Sequence, residues 1–272
     1  MAATVENVVE RVKSFSSVVR GVKSGKPDGA TTQLVQETIE ILATYCDFEE
    51  VVPVCLKFLD EVLTAAPQTS TLIRLEGGAK IFPSIIRNFM GVDASILALC
   101  AKVMCKCASG SPAMQHHLVK EKGLPTLLLS CCSAHAGEPA VVGPLLEVLV
   151  ALARYSKGAT ALSNANLVHA CKELLVGLMG HWHAFGMVLK LIKSVMKHEG
   201  PCLAALKAGE VVRLLLGVAR LVSRMPDQRK LLKRASRTLW VLSQRSLHPL
   251  PEMELNWPHT HTHTHTHTHT HT

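Results

Sequence analysis

The residues best placed to do chemistry lie near the C-terminal end, in the stretch PDQRKLLKRASRTLWVLSQR. Lys230, Lys233, Arg234 and Arg237 recur at i, i+3, i+4 and i+7, so a helix gathers them into one stripe, which Trp240 and Val241 continue. Leu231, Ala235, Leu239 and Leu242 fall on the other face. Ammonium groups and planar guanidinium forks suit carboxylates and phosphates. Two readings stand side by side. A terminal helix needs a polar outer face for solubility alone. The same face would also dock an acidic partner, with Arg237 and Trp240 as anchors, since Arg and Trp are enriched at interface hot spots. The basic region begins earlier and includes Arg220 and Arg224: from Lys207 to Arg245 there are ten Lys or Arg against two acids, in a chain of formal net charge +8. The alternative is a polyanion, nucleic acid or an anionic membrane surface, held through the same patch, and a third reading is a structural subunit buried in a larger assembly. Aromatics make up only 4% of the chain, too few for base-stacking platforms, which leaves a salt-sensitive phosphate contact.

Other reactive residue types do not assemble into a site. Seven histidines alternate with threonine from His259 to His271. In an extended chain they share one side, so two or three would chelate Zn²⁺ or Ni²⁺. A CAC-ACA repeat in the gene accounts for the same tail without any role, and we expect no metal. Cys100, Cys105 and Cys107 share one apolar run and Cys131–Cys132 the next, but no C-x₂-C pair occurs, so these read as core residues. His116–His117 and His181-Trp182-His183 lack a third ligand and read as turn or surface residues at helix beginnings. Gly77-Gly78-Ala79-Lys80 lacks the spacing of a phosphate loop, and neither G-x-S-x-G nor H-E-x-x-H is present. Carboxylates such as Glu37, Glu49, Glu50 and Asp60 read as solvated, with no pair placed for acid–base work. The expectation is a chain without catalytic residues or cofactors.

The elements that must carry these residues read as helices. Apolar residues reach 48% of 272, supplied mainly by Leu, Val and Ala. The longest apolar candidate for a bilayer span, Val141–Ala153, is 13 residues and contains Gly143, Pro144 and Glu147, where spanning takes roughly 20. Glu6 and Glu10 make the N-terminus a poor secretory signal or transit peptide. Reduced cysteines and a cytoplasmic location, with cytoskeletal or nuclear association left open, are the expectation.

A joint organises these helices. In LVKEKGLPTLLL one helix ends, Gly123 turns the chain, and Pro125 enters the first turn of the next. Equivalent joints place Gly78, Asn166 and Gly209, giving steps of 45, 43 and 43 residues. A period in the forties with helices on both sides is the signature of armadillo or HEAT repeats. Between joints the pattern is short–medium–long: Thr69–Leu75, Ala79–Phe89 and Asp93–Ala108; Ala113–Glu121, Gly123–Cys132 and Glu138–Arg154, broken early by Gly143–Pro144; Ala159–Asn164, Val168–Met179 and His183–Lys197; Pro201–Lys207, Glu210–Ser223 and Asp227–Gln244. Ahead of these, helices are expected over about residues 3–22, from Thr31 to Tyr45 and over Phe48–Ala65.

Three helices per unit favour armadillo over HEAT. VMCKCASGSPAMQHHLVKEKGLPTLLLSC resembles an armadillo repeat in its third-helix ending, its SGSP loop and its Gly-x-Pro joint. The resemblance covers about residues 69–245. It implies an all-α, right-handed α-solenoid of armadillo-like repeats over 1–247, with atypical capping repeats over 1–68 and regular ones over 69–247. A disordered His-Thr tail is expected over 248–272. It also implies a non-catalytic scaffold with a concave groove lined by the third helices. Their ends carry Lys106, Ala151, Ser194 and Val241, none of them the peptide-clamping Asn of importin-α- and β-catenin-type grooves, which disfavours import-adaptor activity. Lys106, Ser194 and Gln244 of the groove, with Arg220, Arg224, Lys230, Lys233, Arg234, Arg237 and Trp240 of the basic region, are the residues expected to meet an acidic protein surface or peptide.

Overall fold

The computed structural model describes residues 2–19, 28–198, 210–224 and 228–244. Among these residues the secondary structure is entirely helical, in fourteen helices. They are α1 (Ala2–Val19), α2 (Gly29–Thr44), α3 (Val52–Ala65), α4 (Thr69–Leu75), α5 (Gly78–Phe89), α6 (Ala94–Gly110) and α7 (Pro112–Lys120). There follow α8 (Leu124–Ala134), α9 (Pro139–Ala153), α10 (Ser156–Asn164), α11 (Leu167–Gly177), α12 (Trp182–Val195), α13 (Glu210–Ser223) and α14 (Arg229–Gln244). The short–medium–long order holds for α4–α6, α7–α9 and α10–α12. The expected helix Pro201–Lys207, Gly209 of the fourth joint, Cys202 and the His-Thr tail lie outside the described residues.

The joints show why glycine recurs. Gly77 (φ 90°), Gly123 (φ 78°) and Asn166 (φ 63°) immediately precede α5, α8 and α11 in left-handed backbone, and Asn166 is the only non-glycine in that region among the described residues. At the first joint the left-handed residue is Gly77, not Gly78. Gly78 is needed for a different reason: a Cβ there would sit 2.5 Å from Ile73 Cγ2. Side-chain caps open other helices. Asp28 accepts from the Thr31 backbone N–H at 2.7 Å, Asp93 from Ser95 and Ile96, and Ser111 from Met114.

Several expected helix limits shift by a few residues, such as α10, which begins at Ser156 rather than Ala159, and two differences have a physical reason. Residues 48–51 form a turn, and α3 begins at Val52, so that Pro53 lies in the first turn, where its missing N–H has no partner to lose. Gly143–Pro144 does not break α9, which runs unbroken from Pro139. The acceptor that Pro144 leaves unpaired is Ala140, still in the first turn. The flanking Val141, Val142, Leu145 and Leu146 are all buried and hold the turn in place.

The packing repeats from unit to unit. The long helices α3, α6, α9, α12 and α14 stack in sequence, and the medium helices α5, α8, α11 and α13 form a second stack behind them. The short helices α4, α7 and α10 run along one edge. Every substantial helix–helix packing joins elements of one unit or of adjacent units. A single hydrophobic cluster nevertheless runs from Val12 to Leu242. At its centre α9 is buried nearly all round beyond its first turn, where Glu147 is the one exposed residue.

Candidate partner-binding face

The outer surface of the long-helix stack carries most of the expected partner residues, and its charge changes along its length. On α3 and α6 the charges are tied to one another. Lys102 Nζ meets Asp60 Oδ2 at 2.8 Å, and Lys106 Nζ contacts Asp60 Oδ1. Lys106 also donates to the Asp60 carbonyl at 3.0 Å and to Thr64 Oγ1 at 2.5 Å. Asp60 is therefore not a solvated carboxylate, its side chain being only 16% exposed. Burial works to raise its pKa, but hydrogen bonds from Lys102 and Lys106, and their charges, outweigh burial and hold it below 3.8. Lys106 is thus a tie between two units rather than a cation offered to a partner.

The middle of the face is mixed. Cys105 Sγ lies 3.8 Å from Ser109 Oγ, and burial keeps its thiol above its usual value. The charges of Glu147, Arg154 and Lys190 act on that thiol more weakly than burial does. Ala151, at the register of Lys106, is buried. So is Ser194, 8% exposed, whose hydroxyl donates back to the Lys190 carbonyl at 2.8 Å. Ser194 stands corrected as a partner residue, because a hydroxyl at this depth bonds its own helix.

Beyond Glu147 the face is basic without interruption. Neither α12 nor α14 contains an Asp or Glu. Lys190, Lys193 and Lys197 are exposed on or just past α12, and Lys230, Lys233, Arg234 and Arg237 on α14. The structure brings the α14 stripe beside α12 through Gly186, where a Cβ would lie 2.8 Å from Arg234 Nη1, so the guanidinium rests across the helix where there is no side chain. Trp240 stands 62% exposed on α14. The buried side of α14 is formed by Leu231, Ala235, Thr238 and Leu242, with Thr238 donating to the Arg234 carbonyl at 2.9 Å. For Gln244 only the backbone is described.

Arg220 and Arg224 do not belong to this face. They lie at the end of α13, in the medium-helix stack, and the apolar side of α13, Val211, Leu215, Val218 and Val222, is buried. Lys190, Lys193 and Lys197, on or just past α12, were not singled out in the sequence, where His183–Lys197 is read only as the long helix of its unit. Register was the available signal, since Lys102, Glu147, Lys190 and Arg237 follow one another at steps of 45, 43 and 47 residues.

Away from this face, a shallow cleft of about 670 Å³ lies between α11 and α13, edged by Lys172, Val176, Arg213 and Leu214. His169 and Glu173 pair at its rim, 3.2 Å apart. His116 and His117 lie within α7 rather than at its start, and His116 Nδ1 is 3.2 Å from the Tyr155 hydroxyl. Among the described residues no three His, Cys, Asp or Glu side chains converge as metal ligands. No helix among them is long and apolar enough to cross a membrane.

No family model and no curated protein sequence matches the chain. Its fold is similar to that of two engineered proteins solved as crystal structures by the Northeast Structural Genomics Consortium. One aligns at a TM-score of 0.67 and 14% identity over 89% of this chain and 97% of its own. The other aligns at 0.68 and 12% identity over 87% and 92%. At these identities the likeness is one of fold, an all-α helical-repeat arrangement.

Proposed function

We propose that the chain is a right-handed armadillo-type solenoid acting as a non-catalytic scaffold in the cytoplasm. It holds an acidic protein segment against the concave long-helix face. The three-helix units and their left-handed joints support the solenoid type. The observation that carries the function is the set of seven exposed cations, Lys190, Lys193, Lys197, Lys230, Lys233, Arg234 and Arg237, on or just past two adjacent helices that contain no acid. Among the described residues none of the seven has a carboxylate partner. A terminal helix made polar for solubility alone has no need of one sign of charge. Trp240, exposed beside them, offers an anchor of the kind that dominates protein interfaces.

Reversing Lys233, Arg234 and Arg237 together to Glu is expected to weaken binding of a labelled poly-glutamate peptide by at least tenfold, with unchanged helicity by circular dichroism. Unchanged binding would overturn the reading. Random duplex DNA gives the competing result: binding to it that collapses between low and moderate salt, without discrete protein capture at moderate salt, would mean that the face is a polyanion site instead.

A further inference from the structure

Gly186 lies inside α12, where glycine weakens a helix relative to alanine. It is buried, and α14 covers it: an added Cβ would lie 2.8 Å from Arg234 Nη1 and 3.7 Å from Leu231 Cδ1. The Leu231 distance is ordinary packing. The Arg234 distance is not, because only the missing methyl leaves room for a charged group. Arg234 as a residue is nevertheless exposed. Its guanidinium thus bridges from α14 to α12, with one part against the neighbouring helix and the rest toward solvent.

Seating changes what a cation offers. A Lys ammonium on a flexible stem gives up rotamer freedom when it meets a carboxylate. A guanidinium already laid against a neighbour has lost much of that freedom in the unbound chain, and its planar fork takes a carboxylate through two parallel hydrogen bonds. Lys190 follows Gly186 by four residues on α12, and Arg237 follows Arg234 by three on α14, spacings that keep helix residues on one face. Two further cations therefore stand about one turn along from the seated Arg234.

We propose that Arg234, seated over Gly186, is the anchor of the basic face: it takes one side-chain carboxylate of the acidic segment through both arms of its fork, while the other cations supply charge without fixing position. Gly186 is then a positioning residue that acts through Arg234. The proposal rests on the reading of that face as an acidic-segment site. A bare patch of charge would make the seven cations equivalent, whereas a seated anchor makes them unequal.

The test measures binding of the labelled poly-glutamate peptide to the full chain and its variants by fluorescence anisotropy. Arg234→Ala is expected to weaken binding about tenfold, and Lys233→Ala, which removes the same charge one residue away, about threefold or less. Arg234→Lys keeps the charge but not the fork and should fall close to Arg234→Ala. Gly186→Ala displaces only the far end of a flexible side chain, so thermal stability should hold or rise while binding weakens about threefold or more. In a chain already carrying Arg234→Ala, Gly186→Ala should cost nothing further, since the methyl has no guanidinium left to displace. Equal losses from Arg234→Ala and Lys233→Ala, full binding by Arg234→Lys, or losses from Gly186→Ala and Arg234→Ala that simply add would each overturn the anchor while leaving the acidic-segment reading intact. Failure of the parent chain to bind the probe would overturn that reading and the proposal with it.

Discussion

At the scale of single residues, the joint and the cross-unit tie each make a measurable claim. Asn166 holds a left-handed backbone that costs an ordinary L-residue roughly 1–2 kcal/mol. Replacing it with Val should lower stability by about that amount in urea denaturation, while Gly should leave it unchanged or slightly raised. Asp60 makes the second claim. Its carboxyl is held below 3.8 in the folded chain, so it stabilises the fold above that value, and the stabilisation is lost as the pH falls through the lower folded value. The Asp60→Asn chain should therefore be less stable than the parent at pH 7, with the gap closing as the pH falls below 3.8. A gap independent of pH would mean that Lys102 and Lys106 contribute through packing instead. Of these two features, the Asn166 turn is legible in sequence because a helix cap demands a particular residue type there. The Asp60 tie is not, because its partners sit on another unit, more than forty residues away.

At the scale of the helix, what is legible is what depends on near neighbours. Apolar periodicity, caps and turn residues place α4–α12 in their short–medium–long order. The errors arise where a more distant contact decides. Gly143–Pro144 is a breaker by local rules, yet the buried side chains around it on α9 keep the helix whole. Ser194 looks available by register and is covered by the packing of its neighbours. The lysines of α12 are hidden within an apolar run, since a helix buried on most of its circumference shows only a narrow polar strip. The burial of α9 carries its own prediction. Leu149 is fully buried at the centre of the stack. Leu149→Ala should cost about 2–5 kcal/mol, the range for a core cavity that cannot collapse, and thermal denaturation would register it.

At the scale of the whole molecule, the face is a gradient. In its first half Lys102 and Lys106 are engaged by Asp60, and its second half holds one sign of charge on α12 and α14. That asymmetry makes the two ends of the face electrostatically different, and neither half shows it alone. Periodicity made the repeat visible because each unit must bury the same side of the same helices. It could not show the gradient, because charge on an exposed strip is free to differ from unit to unit.

The neighbour-only packing gives the chain the mechanics of a row of hinged plates. A pull applied between its ends would load one inter-unit boundary after another rather than the molecule at once. The terminal units, each with a neighbour on one side only, would give way first, and the plate built around α9 would be the last to open. Small bends at several boundaries would also add up, so the long-helix face can change shape while every helix stays intact.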